Sequence, residues 1–325
     1  MKAAAAAVRP LLLVLLLLAF ASSAVASPPQ KRIALSFDDV PRRPGAFLTP
    51  DQRTQGILSG LAAAKVEQAV FFVTTGNLDK PEMKGGEARI MMYSGAGHLI
   101  ANHSHAHRRL SQVAAEAYLE DIDRASAWLR NRPGSRPWFR FPFLDEGRAD
   151  KAKRDAVRAG LAARRLANGY VTVDGADWNM EALTVAAHEA GKHMDMKALR
   201  ELYVETMVGA ANFYDGLARR TLGRSPAHML LLHETDLAAL FLPALVEALR
   251  KDGWKIITAD EAYADPIAEA APDTPSAQGT RIEAMAWEKG LPAPRWYERE
   301  NLKIARGLFA ERVLHEPPVD PDAKQ

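Results

Sequence analysis

The segment Asn102-His103-Ser104-His105-Ala106-His107 places two histidines, His103 and His107, four residues apart, so both can lie on one face of a turn and bind one metal ion. Taken alone, it is only moderately specific, and a surface loop whose histidines cap a helix is the plainer reading to be weighed against it. His105, between the two, is expected to point away, as a structural or substrate-facing residue. Asp38-Asp39 ends an apolar run, where adjacent carboxylates repel and lose hydration unless something stabilises them. A metal on one of them is the economical explanation; a solvated turn before Pro41 is the plainer one. At the frayed end of a strand both side chains can reach one cavity, letting one aspartate hold metal while the other takes a proton from water. Three further polar clusters follow: Arg140-Phe141-Pro142-Phe143, Asp174-Gly175-Ala176-Asp177-Trp178 and Leu231-Leu232-His233. Singly these suit a bend, a capped turn and a satisfied core histidine.

Such residues need a scaffold. The 325-residue chain is 48% apolar and 25% charged, enough for one large domain and a small appendage. Its 42 Lys and Arg against 40 Asp and Glu give a net charge of +2 without a basic block, which argues against nucleic acid as a partner. With no cysteine, disulfides, thiolate metal sites and cysteine nucleophiles are excluded, so any metal sits on His, Asp or Glu. Residues 1–26 have a positive start at Lys2 and Arg9, an apolar stretch from Leu11 to Phe20 and the small-residue site Ala24-Val25-Ala26. They read as a secretory signal peptide; once it is cleaved, no stable membrane span is expected, and the mature protein is expected to be bacterial and exported, periplasmic or secreted.

Strands and helices alternate along the rest. Strands are expected at Arg32 to Phe37, Gln68 to Val73, His98 to Ala101, Pro137 to Pro142, Tyr170 to Val173, His228 to Leu232 and Trp254 to Thr258. Helices are expected at Leu48 to Leu61, Glu82 to Tyr93, from a Ser111 cap through Leu129, Ala149 to Ala159, Leu183 to Leu217 and Leu237 to Leu249. This rhythm predicts parallel β/α units, an open sheet or a barrel, with ligands at the carboxyl ends of the strands, where the polar clusters fall. The main domain is taken as residues 27–265. Residues 266–325 form a Pro/Ala/Ser-rich linker or surface loop and a short helical C-terminal extension packing on it. Trp287, Trp296 and Tyr297 in that extension are suited to stacking on sugars, but burial against the barrel is the simpler expectation.

Taken in order, the clusters resemble the motifs of the polysaccharide deacetylases that share the NodB homology domain, the fourth carbohydrate esterase family. The five matches are Ser36-Phe37-Asp38-Asp39-Val40-Pro41, His103-Ser104-x-x-His107, Arg140-x-Pro142-Phe143, Asp174-x-x-Asp177-Trp178 and Leu231-Leu232-His233, within Lys31 to Tyr263. The resemblance implies a distorted (β/α) barrel of about seven parallel strands. It implies a divalent metal, usually Zn2+, with Co2+ or another ion as a substitute, held by Asp39, His103 and His107. Asp38 becomes the general base, oriented by Arg140, and His233 the general acid, oriented by Asp177. Pro142, Phe143, Trp178 and Leu231 become substrate contacts, with Trp178 and Leu231 around the acetyl methyl, the Phe143 N–H on the oxyanion, and Ser104 steadying the metal-binding loop.

The expected function is therefore removal of acetyl groups from an N-acetylated or O-acetylated glycan, such as peptidoglycan, a chitooligosaccharide or an exopolysaccharide, by a monomer. A small non-sugar amide on the same fold and a non-catalytic glycan-binding protein are the alternatives. Three positions depart from the family pattern near the expected mouth of the site. Val40 and Leu144 stand where glycine is usual, and Glu234 replaces an aspartate.

Overall fold

The first strand, β1 (Lys31–Val40), is the hub of the structure: nine of its ten residues, all but Asp39, pair with a neighbouring strand, and Arg32, Ile33, Ser36 and Phe37 pair on both edges. The computed structural model describes residues 30–274 and 277–317; the expected signal peptide, residues 1–26, lies outside them. After β1 come α1 (Pro50–Ala63), β2 (Val70–Val73), α2 (Gly86–Gly95), β3 (Leu99–Asn102), α3 (Ala115–Leu129) and β4 (Ser135–Phe139). Next are β5 (Asp145–Arg148), α4 (Lys151–Ala163), β6 (Ala167–Asn168), β7 (Val173–Asp174), α5 (Asp177–Glu189), α6 (Met196–Leu222) and β8 (Ala227–His233). The chain ends with α7 (Asp236–Lys251), β9 (Trp254–Ile256), α8 (Ala259–Tyr263), β10 (Ala277–Gln278), α9 (Arg281–Glu288) and α10 (Leu302–Arg312).

Seven parallel strands bond in the order β6-β4-β3-β2-β1-β8-β7, curled into a half-barrel, and β9 lies beside the start of β1. Helices cover the outside. On β1, Ile33, Leu35 and Phe37 face outward into the same apolar cluster as Ile57 and Leu61 of α1 and Leu242 and Leu245 of α7. Ala34 faces inward with Val70 and Phe72 of β2, Leu99 and Ala101 of β3, and Met229 and Leu231 of β8. Because strand side chains alternate, this parity also fixes the polar residues: Asp38, His103, Arg140 and His233 all continue the inward rows at the carboxyl ends.

Several expected elements come out differently. Ser111 does not cap the third long helix, which begins at Ala115 behind Ala114; its hydroxyl instead donates to Asp145 at 2.5 Å. The strand expected from Tyr170 contracts to Val173–Asp174. There the Thr172 hydroxyl accepts the Met229 N–H, and the Val171 carbonyl accepts the Arg281 N–H, so these backbone partners lie partly outside a regular ladder. The helix expected over Leu183 to Leu217 is two, parted where Gly191 takes a φ of 66° and Asp195 caps α6 through the N–H groups of Lys197 and Ala198.

The extension packs on the main body. Ile282 and Ala286 of α9 and Phe309 and Ala310 of α10 are buried, and Tyr214 of α6 donates to Glu300 at 2.5 Å. No helix of the described residues is long and apolar enough to cross a membrane.

Candidate active site

Asp38 reaches the barrel interior by strand parity alone, whereas its neighbour would face the helices. A register shift between Phe37 and Val40, with Asp39 at a φ of 66°, turns the second aspartate back to the same side. The left-handed residue is thus Asp39, and Val40, where glycine was the family expectation, is fully buried and pairs with Val73.

Asp39, His103 and His107 each direct one ligand-type atom to a common point, all within 4.8 Å of one another. The His107 Nε2 lies 2.8 Å and the His103 Nε2 3.4 Å from the Asp39 Oδ1. Yet this buried Oδ1 has no partner in hydrogen-bonding geometry, so proximity here comes without the alignment of a hydrogen bond. Burial opposes ionisation of Asp39, but His107, His103 and Arg42 around it hold its carboxyl well below the usual carboxylate range. The His103 Nδ1 lies 3.0 Å from the Arg140 carbonyl, which fixes that nitrogen as the proton donor and leaves Nε2 as the free lone pair. Ser104, fully buried with a φ of 69°, accepts the His107 N–H on its hydroxyl at 2.9 Å and so shapes the loop. An oxygen and two imidazole nitrogens with an orphaned buried acceptor are a donor set that fits a divalent cation.

Two proton-handling pairs flank this cluster. Arg140 donates to the Asp38 Oδ1 at 2.5 Å and is itself tied to the Ser36 hydroxyl, the Gly169 carbonyl and the Tyr263 hydroxyl. Across the cleft, the His233 Nδ1 lies 2.7 Å from the Asp177 Oδ1, and the His233 N–H donates to Oδ2 at 2.8 Å. Burial disfavours a charged imidazole, but the buried Asp177 carboxylate overrides it and raises His233 to about 9.

Asp38, Asp39, His103, His107 and His233 line one cleft of about 700 Å³, with Arg140 and Asp177 buried behind them. The polysaccharide deacetylase family matches residues 26–163, which carry Asp38, Asp39, His103, His107 and Arg140. Over residues 26–163 the chain is similar to the polysaccharide deacetylases. Among solved structures, a polysaccharide deacetylase from Bacillus cereus is 17% identical, with 70% of this chain and 92% of that chain covered and a TM-score of 0.50. A family 4 carbohydrate esterase from Streptomyces lividans, in complex with acetate, is 19% identical over 75% of this chain and 98% of that one, with a TM-score of 0.47. The peptidoglycan deacetylase PdaC from Bacillus subtilis is 19% identical over 73% and 91%, with a TM-score of 0.46. The comparison with curated proteins gives no match.

Within this polysaccharide deacetylase fold, the expected substrate contacts divide. Phe143, Trp178 and Leu231 line the cleft, the first two exposed; Pro142 is buried beneath the lip, where it opens the turn that presents Phe143. Phe143 and Leu144 take φ values of 58° and 51°, so the turn keeps a left-handed backbone without glycine, at some cost in strain. Glu234 is not at the mouth. It is buried and accepts hydrogen bonds from the Tyr93 hydroxyl and the Arg42 N–H, tying the loop after β1 to α2. His105 points away, its Nδ1 3.0 Å from the Thr75 hydroxyl.

Several cleft residues were not among the expected site residues. Asp174, Glu283 and Glu300 lie along it, all held above the usual carboxylate range, first by burial and then by neighbouring carboxylates: Asp177 and Asp38 act on Asp174, Asp174 on Glu283, and Asp174 and Glu283 on Glu300. Trp287 and Trp296 are exposed in the cleft and not buried against the barrel; of the three aromatics noted in the extension, Tyr297 alone packs inward, on Phe213. Their aromatic character was visible in the sequence, but the direction they face was not.

Proposed function

We propose that the protein is an exported deacetylase of an acetylated glycan, using water and a divalent metal, with Zn2+ the leading candidate. The observation that carries this reading is the pairing of Asp38 with Arg140 and of His233 with Asp177 on either side of the Asp39, His103 and His107 cluster, in one cleft. Asp39, His103 and His107 would hold the metal, whose chemistry when bound is to polarise a carbonyl and acidify water.

The rest of the reaction falls to the chain's own groups. Asp38, buried and kept in place by Arg140, takes the proton of the attacking water at its free carboxylate oxygen. Arg140 cannot itself compete for that proton, since its guanidinium stays charged and is spent on four fixed acceptors or partners. The Phe143 N–H, at the lip of the cleft, donates to the oxygen that gains charge as the carbonyl carbon becomes tetrahedral. His233 gives the proton from Nε2 to the departing sugar nitrogen or oxygen, while Asp177 holds Nδ1–H and supports the positive ring beforehand. Trp178 and Leu231 bound the apolar space suited to the acetyl methyl.

The test is acetate release from chitooligosaccharides, peptidoglycan and acetylxylan by chelated and zinc-restored protein lacking residues 1–26. Release that requires metal and is lost in Asp38→Ala and His107→Ala supports the reading and identifies the substrate class. A zinc-loaded protein that releases no acetate from any of them overturns it. Periplasmic or extracellular recovery of the full chain, with the N-terminus beginning after Ala26, tests export.

A further inference from the structure

Nothing in the barrel motifs assigns a role to the segment after residue 265, yet that segment builds one wall of the cleft. Among the described residues, the aromatic side chains left exposed are Phe143, Trp178, Trp287 and Trp296, and all four line this cleft. Indoles left 39% and 45% exposed on a short surface segment forgo burial that the adjacent core could have supplied. Two of the four, Trp287 and Trp296, come from the extension.

The wall is held in place rather than draped. Thr280 and Glu283 form a reciprocal capping box that starts α9, and Lys289 donates to the Thr221 carbonyl at 2.7 Å to fix its far end on α6. The Arg295 guanidinium carbon sits over Trp287, 4.1 Å from the ring centroid, limiting its rotation. Next to Trp296, Tyr297 settles onto α6 at Gly209, where any side chain would collide with its hydroxyl. Arg299 then donates to the Thr206 hydroxyl at 3.1 Å and pairs with Glu205 at 2.5 Å.

Rigid aromatic faces in a wet cleft suit a ligand with both apolar and hydroxylated faces, which is the character of a pyranose ring. Phe143 and Trp178 stand beside the candidate catalytic groups, so a ring whose acetyl group reacts is served from the barrel side. We propose that Trp287 and Trp296 form an additional sugar-binding subsite, so that the substrate is an oligosaccharide or polymer and not a single acetylated sugar. This rests on the deacetylase reading for the reaction, but the binding it asserts is measurable without turnover.

The test titrates metal-free protein with N-acetylglucosamine and its tetramer by calorimetry, and follows acetate release from both with zinc-restored protein. The expected result is tighter binding and a lower KM for the tetramer, with Trp287→Ala and Trp296→Ala each weakening tetramer binding roughly tenfold and leaving the monomer unchanged. The loss should fall on KM and spare kcat, as for an interaction made equally before and during reaction. Gly209→Ala, outside the cleft, should displace Tyr297 and weaken the tetramer in the same direction, with near-unchanged far-ultraviolet circular dichroism showing that the barrel is intact. Equal binding of monomer and tetramer, or tetramer binding indifferent to both tryptophans, overturns the subsite. If no glycan releases acetate while the tetramer still binds through these tryptophans, the reaction is misread and the subsite stands.

Discussion

Replacing Asp177 with asparagine separates charge from shape at His233. Asp177 is fully buried, and its two oxygens engage the His233 Nδ1 at 2.7 Å and N–H at 2.8 Å. Asparagine keeps the size and one acceptor but removes the charge. In the unmutated protein burial pulls the ring toward neutrality, and Asp177, aided by Asp39, outweighs it to reach about 9. Against an ordinary histidine near 6.5, at ~1.4 kcal/mol per tenfold in proton affinity, this is a preference of roughly 3 kcal/mol for the charged ring. Without Asp177 desolvation is the larger influence, so the ring should titrate at or below the ordinary value. At pH ~7.5 nearly all of the unmutated rings carry the proton, against fewer than about one in ten in Asp177→Asn.

The assay is the imidazole Cε1–H resonance of His233 followed by NMR from about pH 5 to pH 10 in metal-free protein, beside the pH dependence of kcat/KM in the zinc-loaded enzyme. The alkaline limb of activity should move to lower pH in the variant. In the loaded enzyme, unmutated or variant, this alkaline limb should lie lower than the metal-free titration, because a cation at Asp39 cancels the charge that helps raise His233. Stability follows the same sign. The folded value lies above the unfolded one, so the pair's contribution is full below about 6.5 and is lost as pH rises through about 9. Asp177→Asn should flatten that fall. A His233 ring that titrates unchanged in the variant would refute the assignment of Asp177 as the source of its charge.

Removing a metal ligand should act on binding before it acts on the fold: His103→Ala and His107→Ala should each retain less than about a tenth of the zinc held by the unmutated protein after dialysis, read by elemental analysis. Arg53 and Asp236 form a fully buried ion pair at 2.8 Å, and Asp236 also accepts the Phe47 and Leu48 N–H groups; Arg53→Met should therefore lower the unfolding free energy by about 3–5 kcal/mol in urea titrations. Glu234→Ala leaves the Tyr93 hydroxyl and the Arg42 N–H without their acceptor, a loss of roughly 1–3 kcal/mol, while kcat/KM for small substrates should change little because Glu234 stands outside the cleft.

How much of this could be read from the sequence depended on whether the answer was local. The alternation in β1 and β8 is strictly local, and it was enough to bring Asp38 and His233 to the inner face at neighbouring strand ends, where they pair in register. Asp39 was legible as a candidate ligand, but not the reason it faces the same way as Asp38, because a bulge depends on the partner strand and leaves no mark in the strand's own residues. Gly191 and Asp195 were stop and start signals that the long apolar periodicity of Leu183 to Leu217 obscured. The extension shows the sharper limit. Its spacing marks a helical segment with an apolar stripe, and in the structure Ile282 and Ala286 are buried, but periodicity says only that a face is apolar and not what it meets. Trp287, one position past Ala286 on α9, turns to the cleft, and Tyr297 turns to the core while Trp296 beside it does not. The glycine at 209 decides that last division: α6 accepts one aromatic ring there because it lacks a side chain at that point, and the neighbouring indole is left facing the cleft.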